Sequence, residues 1–189
     1  MDISVIVAGF GGQGALLAGI VICNAAVIEG KQTTWIPSYG AEMRGGSVNC
    51  AVNISDDEIG SPVIDKADFV IAMNDISQIK FENKVKPGGC MIINSSLSKI
   101  APKRTDIEYI SIPLNNLAQT LEQPAFINVM AVGAFAEKTG ALKLESLKAA
   151  MTEMAKKLPE KKKKLLPNNI TSLQFGSDYI KNNKKLTTV

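Results

Sequence analysis

Ser4-Val5-Ile6-Val7-Ala8-Gly9-Phe10-Gly11-Gly12-Gln13-Gly14 runs straight into an apolar segment, Ala15 to Glu29, that Gly30 closes. The first five residues are apolar and rich in β-branched types, the pattern of a strand buried on both faces. The long small-residue segment after the glycines predicts a buried helix, with Gly30 as its C′ residue. Strand, glycine-rich turn and helix in that order can hold an anion. The glycines allow a sharp turn and close ligand approach, and the first-turn N–H groups lack helical partners at the positive end of the helix dipole. Gly9, Gly11 and Gly14 also fit the G-x-G-x-x-G spacing of a dinucleotide site. Two readings stay open from these residues: a phosphate cradle, or a tight turn that packs helix on strand with no ligand.

Outward from this stretch, Thr33-Thr34-Trp35-Ile36 predicts the second strand of a βαβ unit, ended by Pro37. Ser47 to Ile54 alternates, with Val48, Cys50, Val52 and Ile54 on one face, and predicts a half-buried strand antiparallel to its neighbour or near an edge. Asp68 to Asn74 is another buried strand, and Asn74 or Asp75 caps a short helix through Lys84. Lys86-Pro87-Gly88-Gly89 reads as a turn before a strand at Cys90 to Asn94. Asn94-Ser95-Ser96 suits a turn or a ligand. Ile107 to Ile112 is a last strand, stopped by Pro113. Helices follow: Phe126 to Ala136, apolar nearly all round and closed by Gly140; Leu144 to Leu158, amphipathic; and a short one within Asn168 to Lys181, with the residues after it expected to fray. Strands alternating with helices predict a three-layer α/β/α domain on a Rossmann-like sheet, largely parallel or mixed. The α/β core is expected at about 1–140 and C-terminal helices at about 141–182, all in one domain.

The chain has 189 residues, a net charge of +3, and much of its positive excess in Lys156, Lys157 and Lys161 to Lys164. That run reads as a solvated face and implies no nucleic-acid partner. The N-terminus enters a strand directly, and no apolar run is long enough for a lone membrane span, so no membrane is implied and a cytoplasmic protein is expected. There is no histidine, which removes the usual general base and the commonest metal ligand. Cys23, Cys50 and Cys90 are far apart and form no C-x-x-C, giving an iron–sulfur or zinc site no support.

Between Ile36 and Ser47 lies Pro37-Ser38-Tyr39-Gly40-Ala41-Glu42-Met43-Arg44-Gly45-Gly46. A loop of this composition suits binding, and Arg44 before Gly45-Gly46 joins a forked cation to backbone that can approach an anion closely. A surface loop with solvated Glu42 and Arg44 is the plain alternative. A standard NAD site would carry a carboxylate near the end of the second strand, where this chain has Trp35, Ile36, Pro37 and Ser38.

The glycine run at 9–14, the Ser38-to-Gly46 segment, Ser61-Pro62 and Ala67-Asp68-Phe69 together resemble the gamma subunit of the 2-oxoacid:ferredoxin oxidoreductases, over about residues 3–180. The family includes enzymes of pyruvate, 2-oxoglutarate and 2-oxoisovalerate. The resemblance implies oxidative decarboxylation of a 2-oxoacid, here 2-oxoglutarate or pyruvate, to an acyl-CoA. It implies a coenzyme A site built in part from Gly11, Gly12, Gln13, Gly14, Arg44, Gly45 and Gly46, with no catalytic residue on this chain. The thiamine-diphosphate signature and cluster cysteines are absent from the sequence. Thiamine diphosphate, Mg and 4Fe-4S clusters are therefore expected on alpha, beta and ferredoxin-like delta subunits, with ferredoxin as acceptor and this chain inactive alone. Isolated, it would self-associate through surfaces its partners cover. The rivals are a stand-alone NAD(P)- or flavin-binding oxidoreductase and a non-catalytic scaffold subunit.

Overall fold

A computed structural model describes residues 2–40, 46–121 and 126–183. In chain order the elements are β1 (Asp2–Phe10), α1 (Ala15–Ile28), β2 (Gln32–Tyr39), β3 (Ser47–Ser55), β4 (Ala67–Ala72), α2 (Asp75–Phe81), a 3₁₀ turn (Glu82–Lys84), β5 (Val85–Asn94), β6 (Glu108–Ile112), α3 (Leu114–Gln119), α4 (Ile127–Thr139), α5 (Leu144–Lys156), α6 (Glu160–Lys163) and α7 (Leu166–Asn182). The strands form one sheet in the order β2-β3-β1-β4-β5-β6. β1, β4, β5 and β6 are parallel, while β3 is antiparallel to both its neighbours, β1 and β2.

β1 is apolar on both sides because both sides are covered. Val5 and Val7 pack with Ala18, Ile22, Phe135 and Leu147 in the larger core, against α1, α4, α5 and α7. Ile6 and Ala8 point the other way, into a smaller core with Phe81 of α2, Met91 and Tyr109. Phe135 is fully buried and meets Phe69 edge-on at 5.6 Å; truncating a side chain so placed costs about 3–5 kcal/mol. The alternation in β3 has the same cause: Cys50, Val52 and Ile54 lie in the larger core, while Ser47, Asn49 and Asn53 on the other side are only partly buried.

Three local expectations are corrected. Pro37 does not end β2, which continues to Tyr39 with Pro37 opposite Cys50. β2 is an edge strand, and a strand with one neighbour tolerates a residue that has no N–H. Nor does β2 lie beside β1 as a simple βαβ unit requires, because β3 is inserted between them. Lys86-Pro87-Gly88-Gly89 is a bulge inside β5: the register against β4 slips between Ala67 and Phe69, and the Gly88 N–H donates to Asp106 O at 2.7 Å. The short helices α3 and α6 were not anticipated; each has at most two turns and gives the sequence little periodicity.

Polar ties fix the remaining elements. Glu82, buried after α2, accepts the Tyr109 hydroxyl at 2.6 Å and the Lys103 N–H at 3.1 Å, joining α2 to β6. Helices α4 and α7 touch backbone to backbone. A Cβ on Gly133 would collide with the Leu173 carbonyl, and one on Gly176 with the Met130 carbonyl. Among the described residues no helix is long and apolar enough to cross a membrane.

Candidate functional site

From β1 the chain crosses through α1 towards β2, on one side of the sheet order; from β4 it crosses through α2 to β5, on the other. β1 and β4 are adjacent and parallel. Where neighbouring parallel strands part in this way, a crevice opens beyond their carboxyl ends, and ligands of α/β sheets bind there. At this end the turn at Gly11–Gly14 follows β1, and Met73 and Asn74 follow β4.

The backbone of the turn is specialised. Gly12 has φ 102° and Gly14 has φ 78°, conformations that L side chains rarely adopt. Gly12 is exposed, and a Cβ placed on it would meet nothing within 4 Å. Gly14 is the N-cap of α1, without a side-chain cap, and the first turn holds no acidic residue. The N–H groups of Ala15, Leu16 and Leu17 thus have no intrahelical acceptor, and the positive helix end is not neutralised by its own side chains.

The other sequence-selected residues fall in three groups. The Gly11 N–H donates to Gly46 O at 2.9 Å, so Gly46, the residue before β3, lies against the glycine turn. β3 makes this contact possible: its first residue, Ser47, pairs with Phe10 at the end of β1. Arg44 and Gly45 lie outside the described residues. Gln13 turns inward: its Oε1 accepts the Phe10 N–H at 2.7 Å and the Asn74 Nδ2 at 2.8 Å, and its Nε2 donates to Met73 O at 3.4 Å.

Sequence reasoning missed two supporting side chains. In sequence Asn74 suggests only a helix cap, because its bond to Gln13 depends on the adjacency of β1 and β4. Asn128 of α4 donates from Nδ2 to Gly14 O at 3.2 Å. A single amide within an otherwise apolar helix was the available signal, since a buried polar group needs a partner. Asn94 takes the turn role of its two readings: it is fully buried, donates to Met73 O and Asn115 Oδ1, and accepts from Leu114 N.

A second cleft, of about 540 Å³, lies at the opposite end of the sheet among Asp2, Ser4, Glu58, Lys66 and Asp68. Asp68 there is already engaged by the Ser4 N–H and hydroxyl and by Lys86. It lies at the amino ends of the parallel strands, away from the switch crevice. All three cysteines belong to the larger core, Cys50 and Cys90 buried in it and Cys23 partly buried against it, with Cys23 near enough to Cys50 to act on its thiol electrostatically. Burial pushes the Cys50 thiol up to about 11 and the Cys90 thiol up to about 12, so both stay protonated at neutral pH. Among the described residues no three His, Cys, Asp or Glu side chains converge as a metal site.

The profile of the pyruvate ferredoxin/flavodoxin oxidoreductase family matches residues 4–179. Ketoisovalerate oxidoreductase subunit VorA of Methanothermobacter marburgensis is 31% identical over 183 residues, 96% of this chain and 37% of that protein. This chain therefore spans little more than a third of that relative's length. The 2-oxoglutarate synthase subunit KorC of the same organism is 30% identical over 187 residues, 95% of this chain and 97% of that one. Among solved structures, a 2-oxoglutarate:ferredoxin oxidoreductase from Magnetococcus marinus, with 2-oxoglutarate, coenzyme A and succinyl-CoA bound, superposes with a TM-score of 0.83. The likeness covers 96% of this chain and 31% of that one at 23% identity, and establishes the shared fold.

Proposed function

This chain belongs to the pyruvate ferredoxin/flavodoxin oxidoreductase family, and we propose that it is the gamma-type subunit of a 2-oxoacid:ferredoxin oxidoreductase, contributing part of the coenzyme A site. The observation that carries this reading is the open glycine turn at the head of α1, standing at the switch crevice. Its free first-turn amides, the space over Gly12 and the unneutralised helix dipole suit a phosphate group. Gly12 and Gly14 with the first-turn amides would hold that phosphate through backbone N–H groups. Gly11, whose N–H goes to Gly46, would shape the turn, and Arg44 with Gly45-Gly46 would add a charge-assisted contact. Gln13, whose carboxamide is spent internally, serves through the shape of the turn.

In this reaction class a 2-oxoacid is decarboxylated on thiamine diphosphate, electrons leave through iron–sulfur clusters to ferredoxin, and the acyl group passes to coenzyme A. The fit of this chain to that scheme is partial. Cys50 and Cys90 are buried with raised thiol values and offer no cluster ligand set; this reading assigns the clusters, thiamine diphosphate and Mg to alpha, beta and ferredoxin-like delta subunits. Docking to them is supported by α2, where Ile76 and Ile79 stand 49% and 53% exposed beside the crevice. 2-Oxoglutarate and pyruvate are the first substrates to test.

A stand-alone NAD(P) or flavin enzyme is the weaker reading. The end of β2 offers no carboxylate, and β3 separates β2 from the glycine turn. Calorimetry of the chain with coenzyme A, adenosine 3′,5′-bisphosphate, NAD(P)H and FAD separates the readings. Binding of the first two alone is expected. Binding of NAD(P)H or FAD in their place would overturn the proposal, and no binding with retained co-purification of partners would favour a scaffold.

A further inference from the structure

We propose that Asn74 is a positioning residue of the crevice: it holds Gln13, and through Gln13 keeps the glycine turn open towards a phosphate. The ligand rests on the coenzyme A reading above; the geometry does not. Asn74 is 2% exposed, and both ends of its carboxamide are used. Its Oδ1 accepts the Ser77 N–H at 2.8 Å and caps α2. Its Nδ2 donates to Gln13 Oε1 at 2.8 Å.

That oxygen of Gln13 also accepts the Phe10 N–H at 2.7 Å, while the Gln13 N–H donates to Phe10 O at 3.0 Å. Residue 13 thereby grips both polar groups of Phe10 and closes residues 10–13 into a ring. With its carbonyl and N–H both taken, Phe10 leaves Gly12 as the exposed corner of the turn. The Met73 N–H donates to Ala8 O at 2.9 Å just below, so the Asn74–Gln13 bond extends the β1–β4 pairing past the last ladder residues.

The residue type is diagnostic. Asp, Ser or Thr would cap α2 as well as Asn does. Asn accepts from Ser77 and donates to Gln13 on separate atoms; a carboxylate at 74 would set acceptor against acceptor, and a Ser or Thr hydroxyl, a single oxygen on a shorter side chain, would have to leave Gln13 to cap α2. The cap alone does not require Asn74; the cap joined to the turn does.

The test uses Asn74→Ser and Asn74→Asp in the full chain. Both keep an α2 cap, so the fold should be retained, with a thermal midpoint lowered by the loss of the buried bond to Gln13. Phe10 amide hydrogen exchange should speed up roughly tenfold as its acceptor loosens. Affinity for adenosine 3′,5′-bisphosphate should fall roughly tenfold in both. A similar loss with uncharged Ser rules out simple repulsion by a new carboxylate. Adding Gln13→Met to Asn74→Ser should weaken binding no further than the worse single change, because both act through one contact. In the assembled enzyme the KM for coenzyme A should rise while kcat holds. Should wild-type chain bind the bisphosphate, and both variants bind it equally well with unchanged Phe10 exchange, the positioning role is overturned and the ligand reading survives. Faster Phe10 exchange in a chain whose wild type binds no bisphosphate would uphold the Asn74–Gln13 grip and remove the ligand.

Discussion

Asn128 stands against Gly14 across 114 residues of sequence: its Nδ2 donates to the Gly14 carbonyl at 3.2 Å, and its side chain fills the space where a Cβ on residue 14 would begin. The head of α1 is therefore shaped by α4 as well as by its own glycines.

Gly14→Ala should be costly on two counts, the positive φ and the displaced amide. Together they should destabilise the chain by about 2–4 kcal/mol, read by urea unfolding. Asn128→Ala vacates that space, so the double variant should be more stable than the sum of the two single losses implies.

The contact between α4 and α7 predicts a larger effect. At Gly176 an added methyl meets the Met130 carbonyl, and backbone cannot rotate away as a side chain can. Gly176→Ala should lower the melting temperature by about 6–12 °C, equivalent to about 3 kcal/mol in a chain of this size. Gly133→Ala should do likewise, by calorimetry, whereas Ala at the open Gly60 should be nearly silent.

At the crevice, Gly12→Asp should weaken coenzyme A binding beyond what Gly12→Asn does. The two share shape and backbone strain and differ in charge, and added salt should narrow the gap. Arg44→Ala should cost roughly tenfold to a hundredfold in affinity, on the order of 1.5–3 kcal/mol. Arg44→Lys should restore only part, since an ammonium lacks the fork. Unchanged coenzyme A kinetics with loss of partner co-purification would make this loop a docking element.

Tyr109 gives an alkaline signature. Burial, aided by its hydrogen bond to the Glu82 carboxylate, pushes the phenol up to about 12. A raised folded-state value favours the protonated phenol. Its stabilisation is therefore complete below about pH 10, the ordinary tyrosine value, and is lost as pH rises through about 12. Unfolding free energy should decline across that window, and Tyr109→Phe should flatten the decline. Absorbance at 295 nm should lose its latest-titrating component in the same variant.

Much of this was legible in residue order. Ser4 to Ala8 announced a strand covered on both sides, and the alternation of β3 announced its single apolar face. Gly30 and Gly140 marked helix ends, where both take positive φ. What escaped depended on neighbours remote in sequence. Nothing local in Thr33 to Ile36 says that β3 will intervene before β1, and nothing in Lys86 to Gly89 says that β4 and β6 will hold a glycine-rich segment in the sheet. The candidate site divides in the same way. The glycines were visible as a motif, but the inward turn of Gln13 needed Asn74, sixty-one residues on, and so needed the topology.

Pro37 sits in the outermost strand on one flank of the sheet. A strand from another molecule joining there would find the row of donors interrupted midway, with a ring in the path of its own backbone. Growth of the sheet by strand addition on that flank is thus discouraged. Larger assemblies containing this chain should join through helix faces and loop ends, and the carboxyl end of the sheet, where the glycine turn lies, is left available for them.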